Sequence, residues 1–237
     1  TKANSRHSRI RLGSSVNTAI LHARRRRYYH AMNAYDDSSQ RFLFDEADAR
    51  GECVRIRNSL SDMLANQMYS PSMRCLLGEF AAAAVMISNN LKYQGRITLQ
   101  ARSDQAISLV MVECSSERHI RGIAQGELTS EAANPLTLLA GGQLVLTVER
   151  DAGQRYQGII ALEHSSLAAA LEQYFSQSEQ LATRFWMASD GQQSAGLMLQ
   201  QLPEQISEAH LYADHWNRLC VLTETVRPHE LLVLPSE

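Results

Sequence analysis

The sequence predicts an α+β domain in which mixed or antiparallel sheets pack with amphipathic helices. Three observations predict it. Segments that alternate apolar and polar residues every second position come in runs between helical stretches, rather than in strict β-α-β order. One stripe, Met73, Leu76, Leu77, Phe80, Ala84, Ile87 and Leu91, recurs at the helical period of 3.6 residues. No internal repeat or low-complexity linker interrupts the body, which reads as a single large domain over residues 40–237, long enough to bury a substantial core.

The elements follow in order along the chain. Residues 51–57 place Val54 and Ile56 on one face and Arg55 and Arg57 on the other, the pattern of a strand. Ser59, with Asp62 three residues later, gives a capping-box signal for a helix carrying Leu60, Met63, Leu64 and Met68. Ser70 followed by Pro71 starts the main helix, because proline at the first helical position lacks only an N–H that would have no partner there. Residues 97–101, 107–112 and 119–124 read as a meander of strands with short polar breaks. Residues 135–140 form a short helix or turn closed by Gly141-Gly142. Leu144, Leu146 and Val148 then alternate up to a turn at 151–153, and residues 156–162 return to complete a hairpin. Leu167, Leu171, Tyr174 and Phe175 share a helical face. A second hairpin joins 185–187 to 197–199 through Asp190-Gly191. Leu211, His215, Leu219, Leu222 and Val226 line a further helix, and Pro228 starts a last short one.

Composition narrows the class. Hydrophobic residues make up 44% and charged residues 20%, which is a globular balance rather than a disordered one. No apolar run approaches the roughly 18 residues of a membrane span, so no membrane partner is expected. The charge is uneven: residues 1–35 hold eight of the 23 Lys and Arg and none of the 25 Asp and Glu. This leader, read as 1–39 and disordered, includes Arg24-Arg25-Arg26-Arg27 and ends near Met32, so upstream sequence translated from a misassigned start is the first reading. An organellar transit peptide is the second and a nucleic-acid-binding arm the third.

Chemistry-bearing motifs are absent above background. Cys53, Cys75, Cys114 and Cys220 lie at least 22 residues apart, whereas a zinc site or redox pair needs two thiols delivered by one short loop. Four scattered thiols without a secretory leader read as reduced cytoplasmic cysteines, and no metal or cofactor is expected in this chain. His210, Asp214 and His215 do not share one helical face. Glu163-His164 before Ser165-Ser166 can be drawn as a relay, but Ser165 or Ser166 as the cap of the next helix explains the same letters better. No G-x-S-x-G elbow or Gly-rich phosphate loop occurs, so no catalytic residue is assigned and the chain is expected not to be an enzyme.

Several phrases occur in an order that resembles a known family. They are Arg41-Phe42-Leu43-Phe44 leading to Arg50-Gly51-Glu52, Tyr93-Gln94-Gly95-Arg96-Ile97-Thr98-Leu99-Gln100, Arg121-Gly122-Ile123-Ala124 and Arg155-Tyr156-Gln157-Gly158-Ile159-Ile160. Ser178-Glu179-Gln180-Leu181-Ala182-Thr183-Arg184, the run from Ala195 through Leu202-Pro203, and Leu222-Thr223-Glu224-Thr225 complete them. Together they resemble, over residues 41–237, the substrate-binding domain of the redox-regulated 33 kDa heat-shock chaperonins (heat-shock protein 33), with Ala182 where the family has proline.

That resemblance implies an ATP-independent holdase that binds unfolding client proteins and acts as a homodimer. In the family a separate C-terminal domain holds zinc through four cysteines, and its oxidation unfolds a linker and exposes client-binding surface. The present sequence stops at Leu234-Pro235-Ser236-Glu237, about where that linker would begin. None of its cysteines takes a family ligand position. A chain without the masking segments is expected to hold clients without ATP or peroxide. Leu197, Met198 and Leu199 are the candidate client-binding residues, on a segment whose alternation also reads as a core strand. Two alternatives remain from other classes: an enzyme whose site is not visible in sequence, and a nucleic-acid binder using the basic leader.

Overall fold

A computed structural model describes residues 8–10, 37–44, 47–90, 94–126, 135–151, 153–163, 166–203 and 209–233. The strands are β1 (Ser8–Ile10), β2 (Ser38–Phe44), β3 (Ala49–Ile56), β4 (Gly95–Arg102), β5 (Ile107–Ser115), β6 (Ile120–Gly126), β7 (Gln143–Arg150), β8 (Tyr156–Ala161), β9 (Thr183–Ser189) and β10 (Ser194–Gln201). The helices are α1 (Asn58–Leu64), α2 (Pro71–Asn89), α3 (Leu167–Ser178), α4 (Ala209–Glu224) and α5 (Pro228–Val233), with a 3₁₀ turn at Pro135–Leu139. Two five-stranded sheets result, in the orders β1-β2-β3-β10-β9 and β6-β5-β4-β7-β8. Every pairing is antiparallel except β1 with β2, so the expected α+β class, the meander and both hairpins are observed.

Helix α2 lies between the two sheets, and its composition explains how. Ala81, Ala82, Ala83 and Ala84 have no exposed surface, and Phe80 and Leu77 have none either. Four consecutive alanines keep the helix narrow enough for sheets to close on both sides while retaining the best helix propensity. Gly78 lets the first sheet approach: a Cβ there would stand 2.9 Å from the Ser189 Cβ. The Ser194 hydroxyl then donates to the Gly78 carbonyl at 2.6 Å, crossing from β10 to the helix. At the other end of α2, Glu52 of β3 is 1% exposed and accepts hydrogen bonds from Ser39, Asn89 and Asn90, with Arg41 at 3.5 Å. Burial raises the Glu52 carboxyl pKa above its ordinary value, against the opposing pull of those donors. Helix α3 joins the sheets at one side, its Tyr174 ring lying over Gly158 of β8 and Phe175 meeting Phe185 of β9 at 5.6 Å.

Helix α1 departs from its expected start. It opens at Asn58, before Ser59, and its capping acceptor comes from outside the helix. The Asp37 carboxylate accepts from the backbone N–H groups of Arg57, Asn58 and Ser59 at 2.6, 2.9 and 2.9 Å, and from the Ser59 hydroxyl. Replacing Asp37 with alanine is expected to lower unfolding free energy by about 1–2 kcal/mol, the cost of a lost charged cap. Equal urea midpoints for the two forms would contradict the contact.

Sheet one draws on both sides of the boundary placed near residue 40. β2 opens at Ser38, and Ser8 and Ile10 of β1 stand opposite Phe42 and Phe44. Arg24–Arg27 and Met32 lie outside the described residues. Helix α4 ends at Glu224, short of Val226, and α5 begins at the expected Pro228. No described helix is long and apolar enough to cross a membrane.

Candidate functional site

Strand alternation divides the three candidate client-binding residues between two faces of sheet one. Met198 points inward and is 1% exposed, packed in the core that includes α2. Leu197 and Leu199 point outward. Leu197 is half-buried beside Leu231, and Leu199 is 1% exposed among Ala47, Ala49 and Leu219.

The outward face around Leu197 and Leu199 is apolar at its centre, with Gln40, Arg55 and Arg184 around it. Paired across the strands, Phe42, Gly51, Leu199 and Arg184 form one row, and Gln40, Cys53, Leu197 and Trp186 form the next. Gly51 is required here, since a Cβ would run into the Phe42 ring that lies across β3. Phe42 meets Phe44 edge to face, with ring centroids 5.4 Å apart. Trp186 completes the surface.

Helices α4 and α5 cover this face rather thinly. Among the side chains described on α4, only Leu219 is buried, against Ala49 and Leu199, while Trp216 is partly buried and Val221 is 61% exposed. On α5 only Leu231 is buried, against Ala188 and Ala195. A fully buried leucine such as Leu219 contributes roughly 2 kcal/mol. Among the described side chains, fewer are buried on the cover than on the sheet beneath it.

Sheet two presents an open outer face of different character. Its apolar row, Ile159, Val145, Met111 and Ile123, is interrupted by Gln100. Beside it runs an alternating ionic ladder: Arg121–Glu113 at 2.9 Å, Arg96–Glu149 at 2.6 Å and Arg155–Glu149 at 3.5 Å. Exposed pairs of this kind contribute little stability and mark a solvated surface.

The other sequence candidates are dispersed. Cys53, Cys75, Cys114 and Cys220 stand on β3, α2, β5 and α4, so they do not fit a thiolate zinc site. Burial pushes all four thiols upward, Cys114 to about 11, which leaves them protonated and weakly nucleophilic near neutral pH. Among the described residues no group of three or more His, Cys, Asp or Glu is placed to hold a metal. His164 and Ser165 lie outside the described residues. The Ser166 hydroxyl accepts from the Ala169 N–H at 3.2 Å and caps α3, and Glu163 is exposed.

Comparisons with known proteins identify the family. A family model described as "Hsp33 protein" matches residues 37–237. The 33 kDa chaperonin of Pseudomonas paraeruginosa is 45% identical over 207 residues, covering 86% of this chain and 70% of that protein. That of Azotobacter vinelandii is 46% identical over 204 residues, covering 85% and 69%. The crystal structure of the Thermotoga maritima 33 kDa chaperonin superposes with a TM-score of 0.65 at 18% identity, over 84% of this chain and 74% of that one, a likeness of fold. The match opens at Asp37, the residue that caps α1, and runs from β2 through the covering helices; the chain belongs to the Hsp33 family.

Proposed function

We propose that this chain is the client-holding part of an ATP-independent holdase, and that the apolar outer face of sheet one, including Leu197 and Leu199, receives the client when α4 and α5 lift. The observation that carries this is an aromatic and aliphatic patch, Phe42, Phe44, Trp186, Leu197 and Leu199, under helices on which Leu219 and Leu231 are the buried side chains among those described. Holding needs apolar area made available on demand rather than positioned catalytic groups, so the reading calls on no enzyme activity and no metal from these residues. Met198 belongs to the core and takes no part. Unfolding proteins in the cytoplasm are the clients, and a homodimer is the working form.

The sequence suggested a surface with nothing to hide it. The covering helices change that expectation: holding should strengthen under mild heating or low urea, conditions that loosen α4 and α5 before the sheets. Light scattering of a thermally unfolding client, with reduced chain and no ATP, tests this. Phe42→Ser combined with Leu197→Ser, two half-buried positions, should raise the amount of chain needed for half-suppression on the order of tenfold. Aggregation unhindered by a several-fold excess of folded chain, cover loosened or not, would overturn the proposal.

A further inference from the structure

We infer that Arg184 is the positioning residue that fastens the α4 cover, through an ion pair to Glu224 that is itself anchored by Glu172. The inference rests on reading the face beneath α4 as the holding surface. Arg184 stands on β9 and reaches two helices at once. Its Nη1 lies 3.2 Å from Glu172 Oε2 on α3, and its Nη2 lies 2.8 Å from Glu224 Oε1 at the last residue of α4. Glu172 is fixed in turn, because it accepts the Phe185 backbone N–H at 2.9 Å.

The order of attachment matters. Glu172 is held by the backbone of β9, Arg184 is held by Glu172, and Glu224 is the member carried by the cover. Arg184 Nε is buried with no hydrogen-bond partner, so the guanidinium keeps this orientation through its two terminal nitrogens alone. Glu224 has its own reason to need a cation. A carboxylate at a helix C-terminus faces the negative end of the helix dipole and weakens the last turn unless a positive charge offsets it. No basic residue occupies the last turn of α4, so the cation that does this comes from the sheet. With Leu219 the only buried side chain described on α4, one ion pair at the other end of its last turn has unusual leverage over whether the helix stays down.

Hydrogen exchange on the full chain tests this without any client. In Glu224→Gln, amides of α4 should exchange about fivefold faster than in the parent, while those of α2 keep their rates. Raising salt from 0.05 to 1 M should speed α4 exchange in the parent and leave the variant unchanged, because the pair the variant keeps, Arg184–Glu172, does not involve α4. A merely structural role for the side chain would not erase that salt dependence. Arg184→Gln should speed α4 exchange at least as much, because it leaves the Glu224 carboxylate uncompensated at the helix C-terminus, and Arg184→Lys, which keeps the charge, should recover part of the protection. Parental α4 exchange in Glu224→Gln, or salt sensitivity that survives it, would overturn the inference. Faster exchange without any gain in holding would support the latch and count against the client-binding face instead.

Discussion

Replacing Phe80 with alanine is expected to lower the unfolding free energy by about 3–5 kcal/mol. The ring is fully buried at the middle of α2, with one sheet on either side, and its neighbours Ala81–Ala84 have no side chains that can swing into the vacated space. The cost therefore includes both the lost transfer energy and a cavity that stays open. Against a total of about 5–15 kcal/mol for a domain, a loss of that size leaves a protein on the edge of unfolding. Met68, wholly exposed just before α2, supplies the control: Met68→Ala should change stability by less than about 0.5 kcal/mol. Urea unfolding of the three forms at one pH measures the difference. A Phe80→Ala loss below about 1.5 kcal/mol would mean that α2 is not enclosed on both sides.

That helix shows what the sequence disclosed and what it withheld. Its start at Ser70-Pro71 and its apolar stripe were legible because capping chemistry and the 3.6-residue period are local. Its enclosure between two sheets was not, because alanines register weakly as hydrophobic and a stripe reports one buried face. Alternation at 197–199 likewise announced that neighbouring side chains point oppositely, so those three residues could not form one surface; which side faced α2 depended on pairing with β3 and β9. β2 was visible only as a family phrase, since Phe42, Leu43 and Phe44 are all apolar and show no alternation. The phrase Arg50-Gly51-Glu52 likewise gave no hint of its roles: Arg50 bonds Gln200, Gly51 admits the Phe42 ring, and Glu52 ties down the end of α2. The Asp37 cap and the Arg184–Glu224 pair join residues 20 to 40 positions apart, and no local pattern encodes such contacts.

Glu79→Gln is expected to stabilise the chain by about 3 kcal/mol at pH 8 and by almost nothing at pH 4. Glu79 sits on the same helix, mostly buried, and burial raises its carboxyl from the ordinary 4.5 to about 7. A raised carboxyl pKa in the folded state fixes the sign. Below about pH 4.5 both folded and unfolded chains carry the proton and the group is neutral in the balance. Between 4.5 and 7 the unfolded chain has released its proton while the folded chain keeps it, so stability falls as pH rises, by about 1.4 kcal/mol per unit. Above 7 both are ionised and the full penalty of a buried carboxylate is present. Glutamine removes the titration and keeps the shape, so the stability gap between variant and parent should open through that window and then level off. Urea midpoints at half-unit steps from pH 4 to 8 measure it, and a gap independent of pH would refute the burial of a titrating carboxyl there. The physical consequence concerns the two parts separately: acidification toward pH 6 firms the α2 sandwich, while the described contacts of the cover are Leu219, Leu231, the partly buried Trp216 and one exposed ion pair. On the proposed reading, loosening by heat or salt is expected to begin in the helices above the outer face of sheet one.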